Sequence, residues 1–213
     1  LVIRPDVLLL DEPLSNLDAA LRKQMQIELK RIHEELCVTT VLVTHSQEEA
    51  LVMSDRIAVL RDGRIDQIGE PQTLYNRPAT RFVCTFLGDA NLLDCIVDAI
   101  EPDGAVVRAG SLVLKIDAPG NLRRGQRLTL AIRPEYVQVT EPAPDAAIAG
   151  AIVTDVIFKG NQTCYYAEAA GRGFMALALP SAAKRMFHRG EAVALDFARA
   201  NVVVLDATEQ SVA

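Results

Sequence analysis

The chain has 213 residues, of which 50% are hydrophobic and 23% charged, with a formal net charge of −6. At about 150 residues per domain, this length predicts one to two domains with an ordinary globular core. The acidic balance argues against a dedicated nucleic-acid-binding protein, which is usually basic. No apolar run reaches the roughly 18 residues of a membrane-spanning helix. The first residues contain a charged Arg-Pro-Asp break and no small-residue cleavage site, so we expect no signal peptide.

Cysteine usage predicts a reducing environment. The four cysteines, Cys37, Cys84, Cys95 and Cys164, form no CxxC pair and have no histidine at metal-ligand spacing. We therefore expect four free thiols, most of them buried.

The first part of the chain predicts an α/β arrangement. Residues 7–10 are a continuous apolar run that is typical of a buried parallel strand, and residues 40–44 are a second such run. Between them, apolar residues recur at helical spacing over 19–36, with Asp18 as a candidate N-cap. Ser46 and Glu49 have the spacing of a capping box. The predicted elements that follow are a hairpin of 57–60 with 64–68, and short helices that begin at Pro71 and Ala79.

The second part predicts an all-β domain. From about Asn91, helical periodicity is replaced by short alternating or β-branched runs every 8–12 residues, separated by Gly, Pro and Asp. The predicted strands are 93–100, 105–109, 112–116, 127–132, 136–139, 148–157, 163–168, 173–179, 192–197 and 201–205. We place the domain boundary near Gly88, which divides the chain into 1–88 and 89–213.

A weak internal repeat lies within the second part. The sequence RRGQRLTLAIRPEYVQV at 123–139 aligns with HRGEAVALDFARANVVV at 188–204. Two copies of one β unit would share a core; the alternative is a chance likeness between β-rich segments.

Polar side chains follow both apolar strands of the first part. Asp11 and Glu12 come directly after the first strand, and His45 comes just after the second. The carboxyl ends of parallel strands are where open α/β sheets bind ligands. There, one carboxylate can hold Mg²⁺ and the other can orient a water molecule, while a histidine before a helix N-terminus suits a phosphate oxygen. The alternatives are that Asp11, Glu12 and Pro13 merely end a strand and that His45 is structural.

The motifs that carry these residues resemble those of a known family. VLLLDEPLSNLDAALR at 7–22 resembles the Walker B motif and D-loop of ATP-binding cassette (ABC) transporter ATPases. VLVTHSQEEA at 41–50 and the residues after it resemble the H-loop region of importers of this family. LAIRPEYVQV at 130–139 resembles part of their accessory TOBE domain. The expected fold is an α/β partial P-loop nucleotide-binding domain over 1–88, followed by an OB-like TOBE β-barrel regulatory domain over 89–213.

The resemblance implies specific roles. Asp11 would support Mg²⁺, Glu12 would be the catalytic glutamate that polarises the attacking water, and His45 would contact the γ-phosphate. The D-loop, which includes Ser15, Asn16, Leu17 and Asp18, would contribute to the nucleotide site and cross to a partner subunit. Phosphoryl transfer needs positioning and charge stabilisation, which these residue types supply.

Other family motifs are missing from this sequence. There is no GxxxxGK[ST] phosphate loop, no Q-loop and no LSGGQ signature. The chain thus resembles the C-terminal portion of a longer ATPase, and we expect it alone neither to bind ATP tightly nor to hydrolyse it. We also expect the apolar edges of 1–88 to be covered by a second chain or rearranged.

The resemblance also implies partners and a location. These are a homodimer, membrane-embedded permease subunits and, indirectly, a solute-binding protein, with the chain at the inner face of the cell membrane and no nucleic acid bound. FLGDANLL at 86–93 favours a polyamine, iron or phosphonate importer over a sugar importer. The alternative function is a regulatory or small-anion-binding β module that dimerises. For Arg133-Pro134-Glu135, the alternatives are a surface ion pair at a turn and a contact at a regulatory or dimer interface.

Overall fold

The computed structural model of the chain describes residues 5–36, 38–117, 122–180 and 185–206. They divide into two compact units: the first comprises the described residues within 1–79 together with 86–88, and the second comprises those within 80–85 and 89–213. Cys37, predicted to be a free thiol, lies outside the described residues. The predicted free and buried thiols are confirmed at Cys84, Cys95 and Cys164.

The first unit has the predicted α/β order. Its elements are β1 (Val7–Asp11), α1 (Ala19–Leu36), β2 (Thr39–Val43), α2 (Gln47–Met53), β3 (Ile57–Arg61), β4 (Arg64–Gly69) and α3 (Pro71–Asn76). β1 and β2 pair in parallel, with Leu9 opposite Val41. β3 and β4 form the predicted hairpin, and Asp62 and Gly63 at its tip both have positive φ (52° and 74°), as a type I′ turn requires.

The burial predicted for β1 and β2 is wrong. Side chains of both strands alternate between exposed and half-buried, and Leu9 is 72% exposed. On α1, three of the apolar residues that recur at helical spacing, Leu21, Ile32 and Leu36, are exposed, whereas Gln26 is buried. The reason is that β1 and β2 form a two-stranded sheet of their own within the described residues. One face of this sheet and part of the apolar face of α1 therefore have no neighbouring layer to pack against.

The next helix, α4 (Arg81–Leu87), begins two residues later than predicted. Thr80 caps it: the Thr80 hydroxyl accepts a hydrogen bond from the Val83 N–H (3.1 Å), and the Thr80 carbonyl accepts one from the Cys84 N–H (3.0 Å). A threonine hydroxyl at this position satisfies an N–H that the helix itself cannot, so the helix starts after Thr80.

The second unit is built from antiparallel strands, which confirms its predicted all-β organisation. Its strands are β5 (Asn91–Glu101), β6 (Gly104–Ala109), β7 (Leu112–Ile116), β8 (Arg127–Ile132), β9 (Gln138–Thr140), β10 (Ile148–Phe158), β11 (Thr163–Ala169), β12 (Arg172–Ala178), β13 (Ala192–Asp196) and β14 (Val202–Asp206). They form two five-stranded sheets, in the orders β12-β11-β10-β13-β9 and β14-β8-β5-β6-β7. A short 3-10 turn at Pro134–Tyr136 replaces the start of the strand predicted over 136–139.

One hydrophobic core serves both sheets of this unit. Fully buried side chains such as Val107 and Leu130 from one sheet and Val193 and Leu195 from the other belong to the same cluster. Burial of large aliphatic side chains contributes about 1.5–3 kcal/mol each, so this cluster dominates the stability of the unit.

A buried amide also links the two sheets. Asn91 on β5 donates from Nδ2 to the carbonyl oxygens of Ile132 (3.2 Å) and Met175 (2.8 Å). Its Oδ1 accepts a hydrogen bond from the Met175 N–H (2.7 Å). The side chain of Asn91 therefore pairs with an edge of β12 in the way a neighbouring strand would.

The internal repeat is confirmed by matching hydrogen bonds. The Gly125 N–H donates to the Val97 carbonyl over 2.8 Å, and the Gly190 N–H donates to the Val153 carbonyl over the same distance. Both glycines have positive φ, 81° and 87°. β8 and β13 follow these turns, each succeeded by a 3-10 turn and then a strand that pairs with the other copy: β9 with β13, and β14 with β8. This exchange explains why both copies share one core.

In the Arg-Pro-Glu segment, Arg133 is buried, which contradicts the alternative of a surface ion pair at a turn, whereas a contact of this segment at a regulatory or dimer interface stays a prediction. Only 5% of the residue is exposed, and its Nη1 donates to the carbonyl oxygens of Cys84 (2.9 Å) and Asp89 (3.0 Å). Arg133 therefore holds two main-chain carbonyl groups in place within the second unit.

Candidate functional site at the ends of β1 and β2

The carboxyl ends of β1 and β2 lie side by side. Asp11, the last residue of β1, is the ladder partner of Val43, the last residue of β2. The next residue, Glu12, continues this pairing, because its N–H donates to the Val43 carbonyl over 2.8 Å. Glu12 then adopts a left-handed backbone conformation (φ 44°), which costs a non-glycine residue roughly 1–2 kcal/mol. Its main-chain hydrogen bonds hold the turn in this conformation.

Glu12 and His45 form a direct contact across the two strand ends. The Nδ1 atom of His45 lies 3.1 Å from Oε1 of Glu12. Both side chains are open to solvent, with 74% of His45 and 47% of Glu12 exposed. Because an ionised carboxylate only accepts hydrogen bonds, the hydrogen of this contact belongs to Nδ1 of His45. The two predicted catalytic residues are thus brought together.

The turn after Glu12 is held by its own hydrogen bonds. The Ser15 hydroxyl donates to the Glu12 carbonyl (3.0 Å), and Leu14 is buried beneath the turn. Asp18 caps α1, as predicted, because its Oδ1 accepts hydrogen bonds from two main-chain N–H groups at 3.0 Å. Arg22 Nη2 donates to the Leu17 carbonyl (2.8 Å), which fixes the end of the loop.

The candidate nucleotide-contacting residues therefore have different environments. Asp11 directly precedes Glu12, and Ser15 bonds to the main chain of Glu12. Asn16 is exposed on the turn, whereas one carboxylate oxygen of Asp18 is engaged at the N-terminus of α1. The structure does not bring Asn16 or Asp18 into contact with the Glu12–His45 pair.

Sequence reasoning missed a hydrogen-bonded group that flanks His45. The Thr44 hydroxyl donates to Oε2 of Glu49 (2.7 Å) and accepts from the Ser46 N–H (3.0 Å). Ser46 caps α2, since its hydroxyl accepts from the Glu49 N–H (3.3 Å), as the capping-box spacing predicted. In a full capping box the Glu49 carboxylate would reach the Ser46 N–H; here the Thr44 hydroxyl lies between them.

The donor set at the strand ends fits a magnesium ion bound together with phosphate. Asp11 is exposed, and within the described residues no group of three or more metal-ligating side chains could hold an ion without help. Mg²⁺ in nucleotide sites is usually held by one or two carboxylates, with phosphate oxygens and water completing the shell. Asp11 and Glu12 could supply those carboxylates.

Comparison with known proteins extends the similarity along most of the chain. A family model described as "TOBE domain" matches residues 130–205. The chain is 49% identical over 176 residues to the spermidine/putrescine import ATP-binding protein PotA of Rubrobacter xylanophilus, a match that covers 81% of the chain and 46% of that relative. Proteins of the same name from Ruegeria pomeroyi (48% over 163 residues, 76% and 44%) and Methylococcus capsulatus (48% over 158 residues, 74% and 40%) are also similar.

The resemblance to ABC importer ATP-binding subunits is thereby confirmed.

The chain spans a little under half the length of these curated relatives. The stretch that matches the TOBE family model, residues 130–205, lies within the second, β-rich unit. Among the helices of the described residues, none combines the length and the hydrophobicity that crossing a bilayer requires.

Proposed function

We propose that this chain supplies the residues of the ATP site that bind Mg²⁺ and orient the attacking water in an ABC importer ATPase. The contact between Glu12 and His45, made across the ends of two parallel strands, is the observation that carries the proposal. It joins a carboxylate that can orient a water molecule to an imidazole that can bind an anion. The similarity to import ATP-binding proteins independently supports this assignment.

Each residue then has a defined part. Asp11 would hold Mg²⁺, which supplies charge neutralisation at the phosphates when it is bound. Glu12 would orient the attacking water and accept its proton, and His45 would bind the oxygens of the transferred phosphoryl group. The Ser15–Asp18 turn would contribute at the nucleotide and cross to the partner subunit.

The first unit is proposed to be the C-terminal part of a P-loop type nucleotide-binding domain. Parallel sheets are normally covered on both faces, yet β1 and β2 leave Val7, Leu9 and Val43 more than half exposed. The open apolar face of this two-stranded parallel sheet supports the proposal that it is part of a larger α/β domain. Further elements of that domain, from another segment or from a second chain, would cover the face.

The second unit is proposed to be an OB-like, TOBE-type regulatory domain. The model match at 130–205 and the two five-stranded sheets around one core support this. The assembly would be a homodimer on permease subunits at the inner face of the membrane, served indirectly by a solute-binding protein. Because the matched relatives are named for spermidine and putrescine import, a polyamine is the proposed solute.

The proposal is tested by supplying the missing motifs. We define the chimera as the part of the Rubrobacter xylanophilus relative that precedes the matched stretch, joined to this chain. Steady-state hydrolysis of Mg-ATP by the chimera, and by neither part alone, is the expected result. A well-folded chimera without ATPase activity would contradict the proposed function.

The chain by itself provides a second measurement. Because its sequence contains no GxxxxGK[ST] loop, there is no backbone cradle or lysine for the β- and γ-phosphates. Calorimetry of the chain with Mg-ATP should therefore show no tight binding. Micromolar affinity would show that the phosphates are held by residues that this account does not identify.

A further inference from the structure

We propose that Glu49 is a positioning residue for His45, acting through the hydroxyl of Thr44. The effect of Glu49 on ATP hydrolysis rests on the proposed function. Its effect on the position of the His45 ring concerns this chain alone. The observations that carry it are the burial of Glu49 and the two hydrogen bonds that enclose His45 between Thr44 and Ser46.

Glu49 is a fixed anchor. Only 3% of the residue is exposed although it is a glutamate, and it lies in the first turn of α2. The C-terminal end of the same helix is tied to α1, because Nζ of Lys30 donates to the Val52 carbonyl over 3.0 Å. Because the helix that carries Glu49 is packed, the Glu49 carboxyl group has a fixed position. Its hydrogen bond therefore also restricts the position of the Thr44 hydroxyl.

Thr44 transmits this position to the backbone. Its hydroxyl hydrogen is directed to Glu49 Oε2 at 2.7 Å, which leaves the oxygen lone pairs for the Ser46 N–H at 3.0 Å. The main chain from Thr44 to Ser46 therefore forms a tight curl around the Thr44 hydroxyl, which donates one hydrogen bond and accepts another. His45 is the central residue of that curl.

His45 depends on this arrangement because little else orients it. Its side chain is 74% exposed, and its hydrogen bond within the described residues is the one to Glu12. An exposed ring whose direction is not set by packing takes its direction from its backbone. Without the bond between Glu49 and Thr44, the contact between His45 and Glu12 should loosen.

The alternative is that these bonds only begin α2. The two explanations differ in what happens at the imidazole. A purely structural cap would change the stability of the chain and leave the His45 ring in its contact with Glu12, whereas a positioning role requires that the ring signal change.

The test uses the full chain, labelled with ¹⁵N in its histidine rings. The sequence has three histidines, and the His45 signal is assigned as the one lost in His45→Asn. Glu12→Gln provides the spectrum of a ring that has lost its carboxylate partner. The test variants are Glu49→Gln and Thr44→Val; the matched controls are Glu48→Gln, at the exposed neighbouring glutamate, and Thr44→Ser, which keeps the hydroxyl.

We expect Thr44→Val, which removes the hydroxyl, and Glu49→Gln, which replaces a charge-assisted hydrogen bond with a weaker bond to an amide oxygen, to move the Nδ1 and Nε2 resonances of His45 toward those of Glu12→Gln. Glu48→Gln and Thr44→Ser should leave both as in the parent chain. If Glu49→Gln fails to fold or keeps the bond through its amide oxygen, Thr44→Val decides alone, since it removes the hydroxyl and keeps the volume of the side chain. An unchanged His45 signal in a folded Thr44→Val chain overturns the proposal.

The catalytic consequence is read separately in the chimera. Misplacement of a reacting group by about 1 Å can lower a rate roughly 100-fold, so we expect Thr44→Val to lower kcat about 10- to 100-fold with little change in KM for ATP. A parent chimera without activity would refute the proposed function, while the NMR result would still decide whether Glu49 positions His45. An active chimera whose kcat is unaffected by Thr44→Val would refute the role of the Glu49–Thr44 bond in catalysis.

Discussion

Replacement of Asn91 by alanine should cost the second unit a large share of its stability. The side chain makes three hydrogen bonds: two from Nδ2, to the carbonyls of Ile132 and Met175, and one to Oδ1 from the Met175 N–H. A hydrogen bond contributes about 0.5–1.5 kcal/mol net, so the loss of three predicts a decrease of about 1.5–4.5 kcal/mol in the free energy of unfolding. Asn91 is 6% exposed, which leaves little access for water to replace the lost amide and favours the upper part of that range.

Urea unfolding of the full chain measures this change. Three of the four tyrosines, Tyr136, Tyr165 and Tyr166, lie in the second unit, so tyrosine fluorescence reports mainly on it. The control is Asn161→Ala at an exposed turn residue, which should change the unfolding free energy by less than about 0.5 kcal/mol. If Asn91→Ala and Asn161→Ala have the same small effect, the amide does not link the sheets in solution as described.

Three further outcomes follow from buried or strained positions in the second unit. Arg133→Met leaves two carbonyls without their donor and should lower the free energy of unfolding by about 2–4 kcal/mol in urea titrations; a neutral change would mean that these bonds are not formed. Desolvation raises the pKa of the Cys95 thiol to about 11. Iodoacetamide at pH 8 should therefore modify Cys95 far more slowly in the folded than in the urea-unfolded chain, and equal rates would contradict its burial. Gly104→Ala places a Cβ 2.2 Å from the Ile116 carbonyl oxygen at φ +154°, so it should lower the free energy of unfolding by more than about 1 kcal/mol. Gly173→Ala has open space around the new Cβ and should lower it less. Similar melting temperatures for the two variants would refute this.

The raised thiol pKa also has a consequence for stability against pH. A group whose pKa is higher in the folded state stabilises the protein below its unfolded value, and this contribution is lost as pH rises toward the folded value. For Cys95 the window runs from about 8.5, the usual value for an unfolded thiol, to about 11 in the folded chain. Desolvation raises the pKa of Cys84 as well, which acts in the same direction.

The proximity of Glu12 and His45 could be predicted from the sequence because both residues follow strand ends, whereas their roles at a nucleotide stay predictions. Asp11 and Glu12 terminate one apolar run and His45 follows the next, so a parallel pairing alone brings them to one edge. The pairing of Asp11 with Val43 fulfils that condition. The Asp18 cap of α1 and the Ser46 cap of α2 were predictable for a similar reason, because each is decided within one turn of helix.

Burial in the first unit could not be predicted in the same way. A stripe of apolar residues on α1 shows which face could be covered, but the layer that covers it lies elsewhere in sequence. Leu21 and Ile32 are exposed, while Gln26 is buried with its Nε2 atom unpaired within the described residues. Periodicity describes one element, and burial depends on its neighbours.

Buried polar residues were missed because their partners are remote. Asn91 bonds to a residue 84 positions away, and Arg133 to one 49 positions away. Polar side chains are predicted to be exposed unless a partner is known, and no local pattern supplies that partner. The bond between Glu49 and Thr44 is local, but the capping-box pattern points to a different acceptor arrangement, so the spacing alone could not reveal it.

If Glu12 orients the attacking water, ATP hydrolysis depends on its carboxylate. Glu12→Gln removes the charge and keeps the shape, so the chimera carrying it should lose steady-state ATP hydrolysis while it still binds Mg-ATP. Its matched control is Glu48→Gln, which should hydrolyse ATP as the parent chimera does. Loss of turnover with retained nucleotide binding is the predicted result; unchanged hydrolysis in the Glu12→Gln chimera would show that Glu12 does not orient the attacking water.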